Sequence, residues 1–255
     1  MTANEQNRRL QCEPTPRWVR VLFNGMFVAN SKQVMLLREQ GHLPVYYFPR
    51  ADVRCDLLTA SEQTTHCPYK GDASYWHVTV GDRTAHNAVW GYPVPLPDAP
   101  DLADYLAFYW NKMDSWFEED TQVFVHPRDP YKRVDVCESS RHVRVVVNGE
   151  IVADTHRPRL LFETGLPTRY YIPKVDARLD LLVPTPKRTR CPYKGEASYY
   201  SVRVGDTLVE DIVWTYPYPE VAVTAIQNML CFFNEKVDAI YVDDVREEKP
   251  ETPWK

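Results

Sequence analysis

Two glutamates and two lysines recur in this chain in surroundings that make their charges costly to keep. Glu39 ends the run Leu36-Leu37-Arg38-Glu39 and Glu163 ends Leu160-Leu161-Phe162-Glu163, while Lys70 and Lys194 each stand fourth in Cys-Pro-Tyr-Lys-Gly. A carboxylate attached to an apolar run is expensive to bury without a partner. A lysine in a loop shaped by proline and glycine is constrained, and if buried it loses solvation in the same way. The repeated arginines Arg54 and Arg178, each in an Asp-x-Arg-x-Asp run that ends on Asp56 or Asp180, supply further cations. One glutamate, one lysine, one arginine and one or two aspartates beside a tyrosine-rich wall could perform general acid-base work or clamp an anion. The same charges could also serve as buried struts.

These residues repeat because the chain does. A fixed shift of 124 residues, the distance from Cys67 to Cys191, carries Asn24-Gly25 onto Asn148-Gly149 and Tyr46-Tyr47 onto Tyr170-Tyr171. It also carries Ala73-Ser74-Tyr75 onto Ala197-Ser198-Tyr199, Trp90 onto Trp214, and Tyr92-Pro93 onto Tyr216-Pro217. Self-similarity on that scale predicts two tandem domains, 17–120 and 141–244, joined by a connector over 121–140. Within each unit, alternating apolar residues on either side of Asn-Gly predict a hairpin, because that dipeptide tolerates the positive φ of a tight turn. Tyr75 to Trp90 and Tyr199 to Trp214 predict a second hairpin. Leu102, Tyr105, Leu106 and Tyr109 recur at helical spacing, as do Ile226, Met229, Leu230 and Phe233 nearly so, and predict one amphipathic helix per unit. The fold class expected is mainly β (α+β), two antiparallel domains with one helix each.

Charge sets the two units apart. Residues 169–203 carry eight basic and three acidic side chains, whereas the matching 45–79 carry three basic and four acidic. In a chain of net charge -5 this local excess of cations points to an anionic small-molecule ligand in the second unit. The overall acidity argues against nucleic acid as a partner. The N-terminal residues have no apolar core, and no run approaches the about 18 apolar residues of a spanning helix, so no membrane partner and a cytoplasmic location are expected. The six cysteines include no Cys-x-x-Cys pair and the chain has no His-x-x-x-His, so neither a metal nor a cofactor is expected.

The tandem order of Leu-Leu-Phe-Glu-Thr-Gly-Leu-Pro, Arg-Tyr-Tyr-Ile-Pro, Cys-Pro-Tyr-Lys-Gly and His-Pro-Arg-Asp-Pro-Tyr resembles the domain of unknown function 427 family over nearly the whole chain. That resemblance implies a tent-like, Mss4-like β domain, present twice. Relatives of that topology hold zinc through paired cysteines, which are missing here. The resemblance also implies a pocket at Glu163, Arg178, Asp180, Lys194 and Tyr199, with Glu39, Arg54, Asp56, Lys70 and Tyr75 as counterparts. The family carries no established activity. The function expected is a metal-independent small-molecule enzyme in which Glu163, Lys194 and Arg178 act, with Asp180, Tyr199, Tyr171 and Trp214 lining the second pocket and Glu39, Arg54, Lys70 and Tyr75 the first. The alternative is a non-catalytic module that binds a small anion or a protein partner.

Overall fold

The computed structural model describes residues 9–252. The chain divides between Asp129 and Pro130 into two compact units. The first contains β1 (Leu10–Pro14), β2 (Val19–Phe23), β3 (Met26–Ser31), β4 (Met35–Glu39), β5 (Val45–Pro49), β6 (Leu58–Cys67), β7 (Gly71–Val80), β8 (Arg83–Gly91), β9 (Tyr105–Phe108), β10 (Ser115–Glu118) and β11 (Thr121–Val123). The second contains β12 (Val134–Glu138), β13 (Val143–Val147), β14 (Glu150–Thr155), β15 (Arg159–Glu163), β16 (Arg169–Ile172), β17 (Leu182–Cys191), β18 (Gly195–Val204), β19 (Thr207–Pro219), β20 (Leu230–Phe232), β21 (Ala239–Val242) and β22 (Val245–Arg246).

Each unit is a pair of antiparallel sheets with the same connectivity. The seven-stranded sheets run β1-β4-β5-β9-β8-β7-β6 and β12-β15-β16-β20-β19-β18-β17. The four-stranded sheets run β11-β10-β2-β3 and β14-β13-β21-β22. The chain is therefore mainly β, two similar antiparallel domains in tandem. Residues 121–140 do not form a separate connector: β11 pairs with β10 in the first unit and β12 pairs with β15 in the second. Both Asn-Gly hairpins form, with φ of 45° and 75° at Asn24-Gly25 and 48° and 78° at Asn148-Gly149, the two positive values that a type I′ turn needs.

The middle strands of each seven-stranded sheet are covered on both faces, while its edge strand, β6 or β17, is largely exposed. In the first unit Leu36, Tyr46, Phe48, Leu106 and Phe108 pack against the four-stranded sheet, while their neighbours Leu37, Tyr47 and Ala107 join a second apolar cluster on the opposite face. The second unit repeats this with Leu160, Tyr170, Leu230 and Phe232 inward and Leu161, Tyr171 and Cys231 outward. Fully burying a side chain such as Phe48 or Ile172 contributes about 1.5–3 kcal/mol, so the two-faced sheet is the main source of cohesion.

That two-sided burial also explains where the helical reading goes astray. The segments predicted as helices contribute β9 and β20, and the helical turns present are short and of 3-10 type, such as Val221–Ile226. A strand buried on both faces is apolar at nearly every position, so it matches helical spacing as well as its own period of two. No helix among the described residues is long and apolar enough to cross a membrane.

Candidate functional site

The strand period delivers the glutamates to the site. Leu37 and Glu39 lie two apart on β4, and Leu161 and Glu163 two apart on β15, so each carboxylate follows a leucine onto the outer face of its seven-stranded sheet. The lysines arrive from the other end of that face. Cys67 ends β6, Gly71 begins β7, and the four residues Cys67 to Lys70 close the hairpin between them. The amide of Lys70 donates to the Cys67 carbonyl at 3.3 Å, and the Lys70 carbonyl accepts from the Leu96 amide at 3.1 Å. In the second unit the amide of Lys194 donates to Cys191 O at 3.4 Å and its carbonyl accepts from Glu220 N at 3.1 Å. With the backbone pinned on both sides, each side chain is directed rather than free.

Both lysines meet their glutamates. Lys70 Nζ donates to Glu39 Oε2, and Lys194 Nζ donates to Glu163 Oε2. Side-chain exposures are 8 % and 11 % in the first pair and 13 % and 4 % in the second, so these are nearly buried ion pairs. The units differ at the other carboxylate oxygen. In the second, Lys132 Nζ lies 3.2 Å from Glu163 Oε1; in the first, His42 Nε2 stands 3.9 Å from Glu39 Oε1.

Aromatic side chains wall the pairs. Trp214 Nε1 donates to Tyr171 Oη at 3.1 Å, and Tyr199 Oη meets Thr189 Oγ1 at 2.7 Å. In the first unit Tyr47 and Trp90 pack edge to face, and Tyr75 Oη meets Thr65 Oγ1 at 2.8 Å. Burial pushes the phenols of Tyr47 and Tyr171 well above their ordinary value, and Tyr216 likewise, where Cys191, Tyr199, Cys231 and Glu163 add to the effect. These tyrosines are neutral hydrogen-bonding groups at physiological pH. Burial also raises the thiols, Cys231 strongly and Cys12 to about 11, the latter aided by Glu13, which makes both poor nucleophiles.

A cleft of about 660 Å³ opens onto the first pair, bordered by Arg9, Glu39, His42, Cys67, Lys70 and Trp90. Its size suits a small organic ligand. Arg9 lies over the Tyr69 ring at 4.1 Å on its rim.

Of the residues expected at the second site, Glu163, Lys194, Tyr171, Tyr199 and Trp214 gather on one sheet face. Arg178 and Asp180 do not join them. Arg178 lies in the turn between β16 and β17, where its amide donates to Val152 O of β14 at 2.9 Å, on the four-stranded sheet. Its guanidinium makes a two-pronged contact with Asp180, at 2.9 and 2.7 Å, and both side chains are exposed. Arg54 and Asp56 repeat that contact at 2.8 and 2.7 Å in the first unit. An arginine two residues from an aspartate on a tight turn satisfies itself locally, and so it does not reach the pocket.

The cation excess of residues 169–203 is also largely compensated. Arg169, Arg178, Lys187, Arg190 and Lys194 pair with Glu235, Asp180, Asp211, Glu196 and Glu163. Three of those acids lie outside the stretch, where a local count does not see them. Arg169 is a second-unit feature: its guanidinium makes two hydrogen bonds to Glu235 at 2.9 and 2.7 Å, and the matching first-unit positions are Val45 and Asn111. Burial alone would raise the Glu235 carboxyl, but the hydrogen bonds from Arg169 and Thr252 outweigh it and hold the group below its ordinary 4.5. A depressed carboxylate stabilises the fold fully above its unfolded value and loses that contribution as pH falls through its folded one. The stability gap between the native chain and Glu235→Gln, measured by urea unfolding, is therefore expected to be widest at neutral pH and to close below about pH 4.5. A gap that ignores pH would contradict it.

The charged neighbours that sequence reading missed are Lys132, His42 and Arg9. Lys132 lies two residues before Val134, which pairs with Glu163 across β12 and β15, a register that spacing along the chain does not reveal. The family described as domain of unknown function (DUF427) matches this chain twice, at residues 11–119 and 135–243. Comparison with curated proteins returns no match.

Proposed function

We propose, on the premise that this chain belongs to the domain of unknown function (DUF427) family in both its halves, that the first unit holds an acid-base centre for a small enolisable carbonyl compound. The observation that carries this reading is the division of labour within one carboxylate. Lys70 takes Glu39 Oε2, while Oε1 has no hydrogen-bond partner among the described residues, and both groups border the cleft. Glu39 Oε1 takes a proton from the carbon next to the substrate carbonyl. The electron pair of that C–H bond forms a carbon–carbon double bond as the carbonyl π pair moves onto oxygen, and the resulting enolate oxygen is stabilised by the Lys70 ammonium. Return of the proton from Glu39 regenerates the substrate or its isomer, and the step needs no oxidant. Trp90 and Tyr47 supply the apolar wall for the body of the ligand.

The second unit supports a different use of the same pair. Lys194 and Lys132 both engage Glu163, which leaves one positive charge in excess and suits a non-catalytic site for a small anion. We place the protein in the cytoplasm, a location that six free thiols support.

Proton exchange tests the catalytic reading without knowledge of the product. Incubated in D2O with a panel of small ketones, keto acids and aldehydes, the chain is expected to speed the loss of the α-proton NMR signal of at least one compound, and Glu39→Gln to abolish that gain. Absence of acceleration across the panel, or a gain untouched by Glu39→Gln, would overturn it.

A further inference from the structure

We propose that the second unit carries a surface site for a divalent transition metal ion of the Zn²⁺ kind, built from His142, Asp154 and His156, although the sequence alone suggests no metal. Asp154 lies on β14 of the four-stranded sheet and Glu163 on β15 of the seven-stranded sheet, and the site is independent of the function proposed above. The hairpin register puts them together. Asp154 and His156 are two apart along β14 and its end, so they share a face, and His142 stands one step beyond the Val143–Thr155 pair, opposite His156.

The three side chains form a close cluster, from which one imidazole turns out of its stack for both rings to face a single ion. The candidate ligand atoms of the three side chains lie within 4.8 Å of one another. The two imidazoles stack with ring centres 4.1 Å apart, and His142 Nε2 lies 2.8 Å from Asp154 Oδ1. Two ligand atoms at Zn–N and Zn–O lengths of about 2.0–2.1 Å around a tetrahedral ion stand roughly 3.3 Å apart, so the His142–Asp154 pair needs to open by only about half an ångström. The ion takes the place of the hydrogen between Nε2 and the carboxylate, with His142 in the tautomer protonated at Nδ1. Two imidazoles and one carboxylate suit zinc, and water completes the fourth position on this open face.

Nearby cations do not compete for Asp154. Arg141 is held by Asp243 at 2.7 Å, Arg144 by Asp244 at 2.6 Å, and Arg157 by Asp176 at 3.0 Å. The first unit is the internal control. The positions matching His142, Asp154 and His156 are Trp18, Asn30 and Lys32, where Trp18 Nε1 donates to Asn30 Oδ1 at 2.6 Å and Lys32 Nζ lies 5.1 Å from the Trp18 ring centre. The hairpin thus brings three side chains together in both units, and only in the second are all three metal ligands.

The test is Zn²⁺ titration of the full chain against a chromophoric chelator, with the native sequence, His142→Asn, His156→Asn and Cys137→Ser compared. Cys137 is the exposed thiol and the obvious rival ligand. The expected result is one tight equivalent of zinc whose affinity falls at least tenfold in both histidine variants and is unchanged in Cys137→Ser. Absence of a saturable equivalent, a smaller loss in either histidine variant, or a loss in Cys137→Ser would overturn the proposal.

Discussion

Lys70→Met is expected to destabilise the first unit by about 3–5 kcal/mol, because it leaves the Glu39 carboxylate buried without its cation. Combining it with Glu39→Gln is expected to recover most of that loss, since replacing both members of a buried pair by neutral groups of similar shape is often close to neutral. The second unit should respond more mildly. Lys194→Met leaves Lys132 at 3.2 Å from Glu163 Oε1, so some compensation survives and the expected cost is nearer about 2 kcal/mol. Hydrogen exchange read separately over residues 9–129 and 130–252 measures both. Equal losses in the two units, or a double variant no more stable than Lys70→Met, would show that the charges are not coupled as described. The two exposures, 8 % for Lys70 and 13 % for Lys194, are close enough that Lys132 and not burial decides the difference.

Gly195→Ala is expected to be the other severe substitution. Its φ is +97°, beyond the left-handed helical region that other residues sometimes visit, and an added Cβ would lie 3.0 Å from the Tyr218 carbonyl oxygen and 3.4 Å from the Glu220 amide. Both obstacles are backbone and cannot swing away. A cost of about 2–3 kcal/mol follows from strain and overlap together. Gly205, with φ of +56° and nothing within 4 Å, provides the comparison, with about 1–2 kcal/mol expected from conformation alone. Because Gly195 follows Lys194 directly, the same substitution should also disturb the ammonium at Glu163, which makes Gly195→Ala a fold and site variant at once. Urea unfolding of the two alanine variants orders them, and a Gly205→Ala cost equal to or above that of Gly195→Ala would contradict the clash.

What could be read in the amino-acid sequence follows a physical division. The Asn-Gly hairpins were legible because positive φ at two consecutive residues narrows the choice of residue to a few types. The pairing of Glu39 with Lys70 was legible as a need for compensation, since buried charges require partners and few repeated cations exist. The same logic sends Arg178 toward the pocket, because it names a candidate partner without distinguishing the pocket from an aspartate two residues away. β9 and β20 match helical spacing because a strand covered on both faces shows no alternation. Lys132 and the His142, Asp154 and His156 cluster depend on strand register, which sets side chains from different strands beside one another and leaves little trace in spacing along the chain. The net local charge misled for a related reason: Glu235 and Asp211 come from outside the stretch that was counted.

The most direct measurement compares α-proton exchange in D2O for two double variants, Glu39→Gln/Lys70→Met and Glu163→Gln/Lys194→Met, each of which replaces a buried pair by neutral groups and so separates chemistry from folding. Loss of the exchange in the first and its retention in the second is the result expected if Glu39 and Lys70 do the proton transfer at the first unit's cleft. Retention of exchange in a folded Glu39→Gln/Lys70→Met chain would contradict it.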